Sequence, residues 1–151
     1  MAKSTASLRV FGDELDPDTV TRTLGHEPSQ SYRRGDLISP GRRPEQRKCG
    51  MWLLAATDAE PEAFEEQIEA LLLKLTDDLT VWRKLTEHYQ VDLYCGFFMD
   101  TSNQGFSLPA RSMSLLTARG IEIGFEVYAP SPEEEAEYWA AQEVKVVGGA
   151  R

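Results

Sequence analysis

The sequence predicts an α+β sandwich of the ferredoxin-like βαββαβ kind, extended by a further helix and strand, with a mostly antiparallel sheet and helices on one face. Two observations predict it. Runs of period-two alternation trade places with runs of helical period along most of the chain, and turn or capping residues sit at nearly every change. The 151 residues, 41% hydrophobic and 27% charged, are enough for one self-standing core, which argues against global disorder. The expected division is a single α+β domain over 1–130, followed by an acidic helix and tail over 131–151.

Ser7 to Gly12 alternates as a short strand. Asp16 then offers an oxygen to free first-turn amides, Pro17 suits the first helical position, and Leu15 and Val20 have hydrophobic-staple spacing. Leu24 continues that stripe, Gly25 suits a left-handed stop, and Pro28 prevents resumption. A strand over 31–38, a turn at Ser39-Pro40-Gly41, a polar loop and a strand over 49–57 form a hairpin with a wide tip.

From Pro61 the period becomes helical, with Phe64, Ile68, Leu71, Leu72 and Leu75 on one stripe. Thr76 to Asp78 interrupts it before Leu79, Trp82 and Leu85 resume, giving two helices or one bent helix ending near Tyr89. A central strand is expected over 91–100, its second face carrying Asp92, Tyr94 and Phe98. A helix over 109–119 closes at Gly120, and 121–128 forms a strand with Ile121, Ile123, Phe125 and Val127 inward. Ser131 and Glu134 have capping-box spacing, opening a short acidic helix through Trp139; Val144 onward is expected to fray or to act as an edge strand.

Charge gives the first functional signal. The chain carries a formal net charge of -9, yet 31–52 holds Arg33, Arg34, Arg42, Arg43, Arg47 and Lys48 against only Asp36 and Glu45. Arginine grips phosphate or carboxylate through a planar fork, and Tyr32 and Trp52 lie nearby to stack. A small anion or an acidic protein is the expected partner. Nucleic acid is disfavoured, because the rest of the chain would repel a phosphate backbone. The competing reading is a solvated loop.

A second candidate pocket comprises Asp100, Asn103 and Arg111, around a polar loop leading into a helix; Ser107 as a simple helix cap is the alternative. His26 and His88 lack partners at catalytic or metal-site spacing and suit helix ends. Asp13, Glu14, Asp16 and Asp18 lack the glycine and terminal glutamate of a calcium loop. Cys49 and Cys95 have neither zinc nor redox spacing, and Cys95 falls on a strand's core face. No cofactor, metal, catalytic residue, signal peptide or membrane span is indicated, so a cytoplasmic location is expected.

Several short pieces in order also resemble the bacterial DUF4279 family of small domains. They are Leu8 to Phe11 with Leu15 to Pro17, Leu24 to Pro28, Gly35-Asp36, Gly50 to Leu53, Asp100 to Leu108 and Gly120 to Tyr128. The resemblance spans about 8–128 and implies a fold and a solo-domain habit, with no catalytic residue to carry over. A non-catalytic binding module acting through the basic hairpin is thus the leading expectation. The alternatives are a small enzyme with a pocket around the 100–111 loop and a homodimeric structural protein pairing through an edge strand.

Overall fold

The computed structural model describes residues 1–38 and 45–149, with side chains through Val146. Its elements are β1 (Lys3–Gly12), α1 (Pro17–Leu24), β2 (Gln30–Tyr32), β3 (Gly50–Ala55), α2 (Phe64–Leu73), α3 (Leu79–His88), β4 (Gln90–Phe98), α4 (Ala110–Ala118), β5 (Glu122–Tyr128) and α5 (Pro132–Gly149). The strands form one sheet in the order β2-β3-β1-β4-β5. Pairings β2 with β3, β3 with β1 and β1 with β4 are antiparallel, whereas β4 and β5 run parallel. The fold is therefore a mixed α+β one, since the sheet does not stay antiparallel to its edge.

Alternation decides which face of the sheet is buried. Ala6, Leu8 and Val10 of β1 stand in register with Cys95, Leu93 and Val91 of β4, and Leu8 and Val10 also with Leu54 and Trp52 of β3. All of them are buried in one cluster with Val20 and Leu24 of α1, Phe64, Ile68 and Leu71 of α2, Trp82 and Leu85 of α3, and Leu116 of α4. Helices α1 to α4 thus cover one face only. Trp52 is fully buried and donates its indole N–H to Thr21 Oγ1 at 3.0 Å, so it locks α1 to β3 and is no surface stacking residue.

Local chemistry sets the boundaries. Asp16 accepts from the Asp18 amide at 3.0 Å, and Gly25 ends α1 at φ 84°. The interrupted stripe resolves into two helices, because Asp78 caps α3 by accepting from Thr80 N at 2.9 Å. A buried polar node fastens α2 to the start of β1: Ser4 Oγ donates to Gln67 Oε1 at 2.7 Å, and Gln67 Nε2 donates to Ser4 O and Thr57 O.

Four expectations need correction. The strand predicted over 31–38 stops at Tyr32, because Asp36 Oδ2 accepts from Arg33 N at 2.8 Å and Gly35 turns the chain at φ 90°. Ser107 does not cap α4, whose N-cap is Pro109 without a side-chain bond. Along the predicted strand 121–128 the inward face is only half covered: Ile121, just before β5, is buried, but Val127 is 59% exposed because β5 is the sheet edge and the helical layer ends before it. Finally, the segment from Val144 continues α5 as helix to Gly149 and adds no edge strand; the predicted capping box is present, with Ser131 N donating to Glu134 Oε2 at 2.7 Å.

Candidate functional site

The basic hairpin is tied back onto its own chain. Arg33 Nη2 lies 2.8 Å from Asp16 Oδ1 and 3.1 Å from Asp18 Oδ2, and Arg34 pairs with Glu14 at 3.5 Å. The acidic run that caps α1 thus neutralises two hairpin arginines. The Arg47 guanidinium lies 4.1 Å from the Tyr32 ring centre, and Lys48 is exposed. Arg42 and Arg43, the remaining candidates, lie outside the described residues.

The sheet face opposite the helices is solvent-facing and built from stacked cations and rings. Arg9 makes a bidentate pair with Asp92, Nε to Oδ1 at 2.8 Å and Nη2 to Oδ2 at 2.6 Å, and lies over Phe11 and Tyr94. The hydrogen bond to Asp92 raises the Arg9 pKa further above its ordinary value. Tyr128 and Tyr94 donate to Glu126, which lowers that carboxyl's pKa and raises the pKa of Tyr94. Phe98 and Tyr128 stack at 4.5 Å. Arg9, Asp92 and Glu126 each have a partner within the chain, so the centre of this surface is largely self-satisfied.

The predicted loop pocket does not assemble. The Asp100 carboxylate lies 3.0 Å from the amino group of Met1, and Asn103 contributes its backbone carbonyl to Thr101 Oγ1 at 3.1 Å. Arg111 points elsewhere: its Nε donates to Glu69 Oε1 of α2 at 3.0 Å. Both histidines bond backbone carbonyls, His26 Nδ1 to Glu27 O and His88 Nδ1 to Lys84 O. Burial pushes the Cys95 thiol up to about 12, so at neutral pH it is a protonated core group.

A cleft of about 400 Å³ lies between α2 and α4, closed at one end by the loop joining α2 to α3. Arg111 and Glu69 meet across it, Leu72, Leu75 and Leu115 furnish apolar wall, and Arg119 lines it from the C-terminal end of α4. Arg119 is only 9% exposed. Its Nη1 donates to Leu115 O at 3.1 Å, while its Nε is buried without an acceptor. A buried N–H of a cation without an acceptor is a costly arrangement, and Arg119 borders both this cleft and a neighbouring hollow lined by Leu79, Arg83 and Thr86. Sequence reasoning singled out Arg111 but passed over Arg119, because a basic residue before a helix-ending glycine is an ordinary dipole partner. Only burial distinguishes it.

No helix among the described residues is long and apolar enough to cross a membrane, and among those residues no group of three or more His, Cys, Asp and Glu side chains is disposed to hold a metal. No curated protein and no solved structure matches this chain. A family model does, the one described as Domain of unknown function (DUF4279), over residues 2–130, ending just before α5. With that match covering most of its length, the chain belongs to the DUF4279 family.

Proposed function

We propose that this protein is a non-catalytic binding module for a small anion, held in the cleft between α2 and α4. The single observation behind this reading is Arg119, nine-tenths buried beside a cavity of about 400 Å³ with its Nε lacking an acceptor. Such a group is stabilised by any anion that reaches it, and a cleft of that volume falls within the usual range for small-molecule sites. A binding role is favoured over catalysis because the titratable groups lining the cleft, Glu69, Asp77, Arg111 and Arg119, include no histidine or thiol placed as base or nucleophile. The hairpin then serves mainly to hold β2 against α1 through Arg33. Within the same reading, the order β2-β3-β1-β4 with its antiparallel pairings supports a ferredoxin-like core to which β5 is added.

The test is calorimetric titration of the full chain with acetate, sulfate, phosphate and a nucleoside monophosphate at two ionic strengths. Saturable binding of at least one anion, abolished in Arg119→Met and retained after charge reversal of Arg33, Arg42 and Arg43, is the expected outcome. Binding that survives Arg119→Met and disappears on hairpin charge reversal would return the function to the hairpin, with an acidic protein as the natural partner.

A further inference from the structure

Resting on that reading of the cleft, we infer that its ligand is a monocarboxylate with a hydrocarbon body, not a phosphate or a nucleotide. Three features of the cleft lead there. The first is the edge of the guanidinium that stands unfilled. Arginine binds a carboxylate side-on through Nε and Nη2, and Arg9 does this with Asp92 in the same protein. In Arg119 the described hydrogen bond is made by Nη1, to Leu115 O, which leaves the Nε and Nη2 edge for an incoming carboxylate.

The second feature is the charge balance. Arg111 is already paired with Glu69 at 3.0 Å, and Asp77 also borders the cleft. One cation therefore remains for the ligand, with two carboxylates close by. A single negative charge is matched by Arg119; a second would face Glu69 and Asp77 with no further unpaired cation among the residues lining this cleft. Phosphate, nucleotides and dicarboxylates are disfavoured on that count.

The third feature is the apolar wall. Leu72 and Leu75 are core residues that also border the cleft, and Leu115 continues the surface from α4. Leu73 stands at the same cleft yet is 86% exposed, off the stripe that packs α2 against the sheet. A hydrocarbon chain running from the Arg119 end over Leu72 and Leu115 would cover it. Admission of the ligand to the buried Nε needs a rotamer change of Arg119 or of a flanking leucine.

The test uses the full chain and four probes at matched ionic strength: acetate, octanoate, suberate and inorganic phosphate, read by calorimetry. Octanoate is expected to bind at least about tenfold more tightly than acetate, since each buried methylene adds a few-fold. It is also expected to exceed suberate by about tenfold or more, the second carboxylate meeting Glu69 and Asp77. Leu73→Ser, a surface change that leaves the core intact, should weaken octanoate and leave acetate unchanged. Phosphate or suberate binding as tightly as octanoate, lost in Arg119→Met, would keep the anion site and overturn the monocarboxylate assignment. Octanoate binding equally to wild type and Arg119→Met would be nonspecific and would overturn it too. Silence of all four probes would remove the anion site itself and the assignment with it.

Discussion

Replacing Arg119 by methionine separates a residue kept for a ligand from one kept for the fold. Methionine retains most of the apolar stem and removes the guanidinium. The loss is the Nη1 bond to Leu115 O at 3.1 Å, about 1.5–3 kcal/mol for a charged donor, plus about 0.3–1 kcal/mol of favourable placement at the C-terminal end of α4. The gain is relief of the buried Nε that has no acceptor, about 1–3 kcal/mol. These terms oppose each other and are of similar size. The ligand-free variant is therefore expected to lie within about 1.5 kcal/mol of wild type, far less than the 3–5 kcal/mol lost when one partner of a buried ion pair is removed. Urea unfolding resolves the two cases: with a slope of about 1–3 kcal/mol per molar, the expected midpoint shift is at most about 0.5–1.5 M. A destabilisation beyond about 3 kcal/mol with an unchanged slope would show that Arg119 holds the fold together, and the argument for an unfilled site would fail.

Three further outcomes follow from the packing and titration of particular groups. Gln67→Leu removes the acceptor of Ser4 Oγ and the donor to Ser4 O and Thr57 O, so chemical denaturation should report a loss of about 2–4 kcal/mol, and Ser4→Ala should cost less on the Gln67→Leu background than alone. Iodoacetamide at mildly alkaline pH should modify the half-buried Cys49 and spare Cys95, whose thiol is pushed up to about 12; peptide mass mapping with and without denaturant reads the difference. The Asp16 carboxyl is held below its ordinary value, first by Thr19 Oγ1 and also by the Asp18 amide and Arg33. A depressed folded-state pKa gives stability that is present above the ordinary carboxylate range and lost as pH falls through the folded value. Asp16→Asn should accordingly be less stable than wild type at pH 7 and converge with it in acid, as thermal melts across pH would show.

Local chemistry made the elements legible wherever one residue had one role. Asp16, Pro17 and Gly25 bound α1 as their types dictate, and the period of Phe64, Ile68, Leu71 and Leu72 gave α2 its buried face. The break at Asp78 was ambiguous in sequence because an acidic pair suits both a bend and a cap; the Thr80 amide decides for a cap. Misses arose where tertiary context sets the answer. Phe125 and Val127 alternate as if inward, and they do share the helix-covered face, but alternation does not say where the covering layer ends. The parallel pairing of β5 with β4 likewise depends on the crossover through α4, which no local pattern within β5 encodes.

Charge was the least direct guide to the site, and the reason is physical. A run of exposed arginines is visible in sequence because it is dense, yet density on a surface invites neutralisation by nearby carboxylates. Arg33 meets Asp16 and Asp18, and Arg34 meets Glu14, so their field is largely answered within the chain. Arg119 is a single basic residue before Gly120, indistinguishable by type from an ordinary helix-end cation. Burial changes its meaning. An exposed arginine without a carboxylate is simply hydrated, whereas a nine-tenths buried one with an unfilled N–H holds a desolvation penalty that only an acceptor can relieve. On the proposed reading, the cation that defines the cleft is thus the isolated one, and Glu69, Asp77 and the leucine wall around it would set the selectivity.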